Sequence, residues 1–251
     1  MSRWVLSYAS DGTRSVIPTG RRLVPDQSLV VGREGDVPVG AVPEDPGVSR
    51  VACLLTATAD GWDLDVRNRN GIVVHPWGQP PAPARRREVL TWPRIGLRVR
   101  GADDTVAHWV LLETESVELA QAGPMRPDGP GTRTARSRSS DPLTTAQIDA
   151  LHTVFGEYLR WPPLTSAVAL QLKQAATRLG LSEAGVKDRL LNARRRAEQL
   201  GLHADGGTTD PSYLFFLVRA GLLAPPPRMP HRYVGVEAAT QQSRSGTQKP
   251  I

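Results

Sequence analysis

Residues 61–74 read GWDLDVRNRNGIVV. Trp62, Leu64 and Val66 alternate with polar residues, the period of a strand with one covered face. Ile72, Val73 and Val74 form a short apolar run. Between the two lies a polar knot, Arg67-Asn68-Arg69-Asn70-Gly71. Asn70-Gly71 is a strong hairpin signal because both residue types tolerate positive φ, so a hairpin is the expected connection. A turn alone does not call for Arg67, Asn68 and Arg69, and the tip is therefore a candidate binding loop.

Further short apolar stretches surround this one, at 4–9, 15–18, 28–32, 51–57, 95–100 and 108–114. Asp-Gly and other turn residues separate them, which predicts an all-β sandwich or barrel over residues 1–118. Composition then shifts. Residues 119–140 are rich in Pro, Gly, Ser, Thr and Arg without apolar periodicity, as expected of a basic, disordered linker. From 141 the period becomes helical and predicts a small all-α domain over 141–224. Ile148, Leu151, Phe155 and Tyr158 share one face behind a Thr144/Gln147 capping box. A second helix is expected within 165–180, ending at Gly180. A third starts at the N-cap Ser182 and aligns Val186, Leu190, Ala193 and Ala197, and a fourth lies within 210–223. Residues 225–251 read as a disordered tail.

The 251 residues carry 31 Lys+Arg against 25 Asp+Glu, a formal net charge of +6, which favours phosphate-bearing partners without choosing among them. Hydrophobic content is 39%, with 22 Pro and 23 Gly, in keeping with folded parts separated by disordered ones. One cysteine, Cys53, allows no intrachain disulfide and no thiolate metal site. The N-terminal residues lack a signal-peptide core, and no apolar run reaches the length of about 18 that a membrane helix needs. A cytoplasmic protein without membrane attachment is the expectation. None of the five histidines has metal-ligand spacing, and no P-loop or G-x-S-x-G is present, so neither catalysis, cofactor nor metal is expected.

Three loop patches stand at strand ends: Gly32-Arg33, Ser49-Arg50 and Asn68-Arg69-Asn70-Gly71. Strand ends of a sandwich gather at two poles, and loops at one pole make a joint site on a rigid base. Guanidiniums, a hydroxyl and an amide brought together would receive a dianion, since arginine's planar fork matches phosphate bidentately. The order Gly-Arg, Ser-Arg, Asn-Gly in an all-β stretch resembles the forkhead-associated (FHA) domain over about residues 3–115. That resemblance implies a β-sandwich that recognises phosphothreonine peptides through loops at one pole. It implies Arg33 and Ser49 on the phosphate, Arg50 as a neighbouring contact, Asn70 on the peptide backbone and Arg69 in peptide preference. The sequence departs from the family pattern where a bracing His would stand at Ala52, a Thr at Ile72 and a buttressing Asn at His75. The phosphate-facing set is kept and the bracing set is eroded.

In the helical half, LGLSEAGVKDRLLNARRRAEQLG (179–201) resembles the helix-turn-helix of LuxR-type regulators and of sigma-factor region 4, with Gly185 where those families often have Thr. The resemblance implies that Lys187, Arg189, Asn192, Arg194 and Arg195 meet double-stranded DNA. The opposing reading is a solvated charged helix, because residues 182–203 hold five Lys/Arg against three Asp/Glu. Thr132 and Thr134 stand among arginines, a setting that suits a Ser/Thr kinase acting on the linker. The expected protein is a non-enzymatic signalling factor, its sandwich reading phosphothreonine on a partner and its helical domain regulating transcription. The alternatives are a phospho-dependent adaptor whose helices dock on protein, and a sandwich that binds an unphosphorylated partner.

Overall fold

The computed structural model describes residues 3–10, 19–103, 106–114, 142–202, 206–230 and 232–233. The linker 119–140 with Thr132 and Thr134, the apolar stretch 15–18 and the tail from 234 lie outside the described residues.

Among the described residues the chain forms twelve strands and four helices. The strands are β1 (Arg3–Ser10), β2 (Thr19–Leu23), β3 (Ser28–Gly32), β4 (Val37–Pro38), β5 (Cys53–Ala57), β6 (Trp62–Val66), β7 (Ile72–Pro76), β8 (Ala82–Pro83), β9 (Arg87–Leu90), β10 (Arg94–Val99), β11 (Ala107–Thr114) and β12 (Arg232–Tyr233). They build two sheets, a seven-stranded one ordered β12-β2-β1-β11-β10-β7-β8 and a five-stranded one ordered β4-β3-β5-β6-β9. The inner faces supply one core, including Val31, Leu55, Trp62, Leu64, Ile95, Leu97, Val110 and Leu112. The protein is thus a two-sheet β-sandwich followed by a small helical region. Polar sequence hid β2, whose Arg22 is exposed and Arg21 half-buried, and β9, an edge strand with Arg87 and Val89 exposed.

The hairpin expected at Asn70-Gly71 does not exist. β6 pairs with β5 and β9, whereas β7 pairs with β10 and β8 in the other sheet. Residues 67–71 therefore cross from one sheet to the other. Packed sheets lie about 10 Å apart, within reach of five residues at roughly 3.3 Å each. The Asn-Gly turn is real, with the Gly71 amide on the Asn68 carbonyl at 3.0 Å and Gly71 at φ +79°. It redirects the chain between layers instead of reversing it within one.

The helices are α1 (Thr145–Val154), α2 (Leu172–Leu179), α3 (Glu183–Gln199) and α4 (Ser212–Arg219). Thr144 and Gln147 form the reciprocal capping box, and the Ser182 side chain accepts from the Gly185 amide. The second helix begins seven residues later than 165, at Leu172 behind the N-cap Gln171, and ends on Gly180 in the left-handed conformation. Residues 167–171 ahead of it form neither helix nor strand, and the Leu170 amide donates to the Val154 carbonyl at 2.8 Å.

The helical region is not a bead on a string. Trp77 of the sandwich belongs to the helical core with Leu151, Phe155, Val186, Leu190 and Leu217. Its indole donates to the Leu159 carbonyl at 2.9 Å, and the Gln79 amide donates to the Phe215 carbonyl at 2.8 Å. A side chain at Gly96 would meet Pro163 at 2.6 Å, so the close approach requires glycine. Buried Glu113 accepts from the Trp161 indole at 2.6 Å and from the Met229 amide at 3.3 Å. Residues 225–230 and 232–233, expected in a disordered tail, instead return over the sandwich. Arg228 sits 5.5 Å from the Trp4 ring centroid, and β12 pairs parallel with β2. This third layer explains why every residue of β11 is buried while β5 alternates buried and half-buried.

Candidate functional site

β3 ends at Gly32, whose φ of +152° and tight contact leave no space for a Cβ beside the Arg50 carbonyl. That approach joins two loops. The Arg33 amide donates to the Ser49 carbonyl at 3.2 Å and the Glu34 amide to the Arg50 carbonyl at 3.0 Å. The Ser49 hydroxyl oxygen in turn accepts from the Arg69 amide at 3.3 Å. The Asn70 side-chain amide donates to the carbonyls of Gly47 at 3.1 Å and Gly101 at 2.8 Å. Arg33, Ser49, Arg50, Arg69 and Asn70 therefore share one pole. It is the pole where β7 and β10 meet at Ile72 and Val99, while the helical region packs near their other end, at Pro76 and Ile95.

The Arg33 guanidinium is half-buried and engaged. Its Nε donates to the Val48 carbonyl at 2.8 Å and its fork pairs with Glu44, which is mostly exposed. Arg50 pairs with Glu34 at 3.3 Å, both exposed. The Arg69 side chain has no hydrogen bond or ion pair among the described residues. Neither does the Asn70 Oδ1, which is free to accept.

The brace of this pole is one that the sequence did not reveal. Asn68, 6% exposed, accepts from the Ser49 amide at 2.9 Å and donates to the carbonyls of Gly71 and Arg100, both at 2.9 Å. Asp45 accepts from the amides of Gly47 at 2.8 Å and Ala102 at 2.9 Å, and pairs with His108 Nε2 at 2.8 Å. Burial alone would raise the Asp45 carboxyl; the bonds from His108, Ala102 and Gly47 outweigh it and hold the group below its ordinary value. Ala52, where the family pattern has His, is buried and takes the amides of Arg67 and Asn68 on its carbonyl. Asp-Pro-Gly at 45–47 carries a readable turn signal, but nothing local points to His108.

His75, aligned with the family's buttress, lies near the far end of β7 with its ring edge-on to Trp109 at 4.9 Å. Burial, aided by Arg98, pushes its pKa down to about 4. It has no part in the pole. Cys53 is buried and its thiol is pushed up to about 12 by burial, which leaves it unreactive.

On α3 the expected DNA set does not gather. Val186, Leu190, Ala193 and Ala197 face the core. At about 100° per residue, Lys187 and Arg189 stand about 200° apart and leave by opposite flanks. Arg194 bonds Glu198 at 2.9 Å and the Gly206 carbonyl. Arg195 donates to Asn192 at 3.2 Å. Exposed Asp188 lies between the flanks.

No family model matches the sequence, and no curated protein matches it. Solved structures do. One is a chain from a structural and functional analysis of phosphothreonine-dependent FHA domain interactions, 17% identical, covering 45% of this chain and 99% of that one at a TM-score of 0.31. Another is FHA-1 of Mycobacterium tuberculosis Rv1747, 17% identical, covering 45% of this chain and 97% of that one at a TM-score of 0.28. Among the described residues no helix is long and apolar enough to cross a membrane, and no cluster of His, Cys, Asp and Glu forms a metal site.

Proposed function

We propose that this pole binds a phosphothreonine side chain on a protein partner. The observation that carries the reading is the hydrogen-bonded link between three separate loops, which groups Arg33, Ser49 and Asn70. A phosphate offers about −1.5 to −2 charge and three acceptor oxygens. It exchanges with the single carboxylate of Glu44 on the Arg33 fork. The Ser49 proton donates to a second oxygen, exposed Arg50 and Arg69 add charge, and Asn70 Oδ1 accepts a peptide N–H.

The test is fluorescence anisotropy of the full chain against phosphothreonine, phosphoserine and unphosphorylated peptide libraries. A charge-assisted bond contributes about 1.5–3 kcal/mol, so Arg33→Ala is expected to weaken binding roughly tenfold to a hundredfold. Wild-type protein that binds phosphorylated and unphosphorylated peptides alike refutes the reading.

For the helical region, the adaptor reading is favoured over DNA-linked regulation of transcription. Its core is shared with Trp77, and Lys187 and Arg189 leave α3 by opposite flanks with Asp188 between them. A mobility shift with the full chain checks this. Tight DNA binding that falls steeply with salt and with Lys187→Ala or Arg189→Ala reverses the preference.

A further inference from the structure

We propose that Arg85, Arg86 and Arg87 form a second anion-binding element, which reads an acidic or second phosphorylated position on the same partner peptide. This rests on the phosphothreonine reading above and names the class of peptide it favours. All three side chains are exposed, and none has a hydrogen bond or ion pair among the described residues.

Their backbone places them at the same pole. The Ala84 amide donates to the Ile72 carbonyl at 2.8 Å, the Val66 amide to the Arg86 carbonyl at 2.8 Å, and Arg87 pairs in register with Asp65. This segment thus crosses from β8 to β9 beside the crossing at 67–71. Of the nearby carboxylates, Asp65 is taken by Arg67 at 3.0 Å, Glu88 accepts the Arg85 amide at 3.1 Å, and exposed Asp63 lies two residues further down β6. The guanidiniums of Arg85, Arg86 and Arg87 are in no ion pair among the described residues, and together with Arg67 they outnumber Asp63, Asp65 and Glu88.

The sheet order sets the reach. Arg33 follows β3, Arg50 precedes β5, Arg67 follows β6 and Arg87 opens β9, and these strands are successive neighbours. At about 4.8 Å per strand, the arginine run lies roughly 10–15 Å from the phosphate position between β3 and β5. An extended peptide covers that distance in about three to five residues. An anionic group there meets unpaired arginines, whereas a neutral one gains nothing.

The experiment uses the full chain and four fluorescent peptides of one length. These are a phosphothreonine peptide with neutral flanks, the same with glutamates three to five residues away on either side, the same with a second phosphothreonine there, and the glutamate peptide without phosphate. The acidic and doubly phosphorylated peptides are expected to bind about fivefold to tenfold tighter than the neutral-flank one near 0.1 M salt. The larger gain tells whether carboxylate or phosphate is the better source. Arg85→Gln/Arg86→Gln/Arg87→Gln should erase that gain and leave the neutral-flank peptide bound as before, which also shows that the variant is folded; Arg86→Gln alone should remove part of it. Equal affinity for neutral and anionic flanks, or a gain that survives the triple substitution, overturns the inference. Failure of the neutral-flank phosphopeptide to bind wild-type protein overturns the phosphothreonine reading itself, and this inference with it.

Discussion

Asn68→Ala isolates the brace of the pole. The side chain holds three backbone groups, the Ser49 amide and the carbonyls of Gly71 and Arg100, each at 2.9 Å. A hydrogen bond contributes about 0.5–1.5 kcal/mol net, so three amount to about 3 kcal/mol, with water reaching the half-buried groups trimming the loss. Asn68→Asp keeps the size and the contact to Ser49 but turns a carboxylate oxygen on two carbonyls, and should lose at least as much. For a protein of this size each kcal/mol moves Tm by roughly 2–4 °C, which predicts a fall of about 6–12 °C. Urea unfolding followed by circular dichroism, with an unchanged m-value, gives the free energy directly. Because the same bonds position Ser49, phosphopeptide affinity should fall as well. An Asn68→Ala protein within about 0.5 kcal/mol of wild type, or an Asn68→Asp protein as stable as wild type, refutes the bracing role.

Other perturbations test other parts of the reasoning. Glu44→Gln frees the Arg33 fork, and because an exposed ion pair contributes about 0.2–1 kcal/mol, phosphopeptide affinity should rise by up to about fivefold; a fall in affinity refutes competition by Glu44. His75 has its folded pKa lowered to about 4 from 6.5, so between those values the unfolded chain binds more protons. Its contribution is complete above pH 6.5 and is lost as pH falls toward 4, by up to about 3 kcal/mol. His75→Leu should flatten stability against pH in that window, and an unchanged slope contradicts the burial argument. Trp161→Phe leaves buried Glu113 without its indole donor, a loss of about 1–3 kcal/mol, and should lower a single calorimetric transition for sandwich and helices together. Two separate transitions would show that the layers do not fold as one.

Local chemistry was legible from residues alone. The alternation of Trp62, Leu64 and Val66 marks a half-buried strand, and Thr144 with Gln147 and Ser182 mark helix starts, because strand period and capping depend on neighbours within a few positions. Gly32-Arg33, Ser49-Arg50 and Asn70-Gly71 were likewise readable as loop patches. β11 carries a sign of the third layer, since Trp109, Val110, Leu111 and Leu112 run without alternation. The second helix occupies only the later part of 165–180: Val168 fits the same apolar face, yet the chain ahead of Leu172 is tied through the Leu170 amide to the end of α1. What only tertiary structure decided is which sheet each strand joins. The Asn-Gly turn is compatible with a hairpin and with a crossing, and the choice falls to partners such as β9 and β10, which begin 16 and 23 residues after Gly71. The same holds for Asn68, Asp45 and His108, whose hydrogen bonds reach 19 to 63 residues away. Such contacts are selected by the packing of the whole sandwich, and a short stretch of sequence carries no record of them.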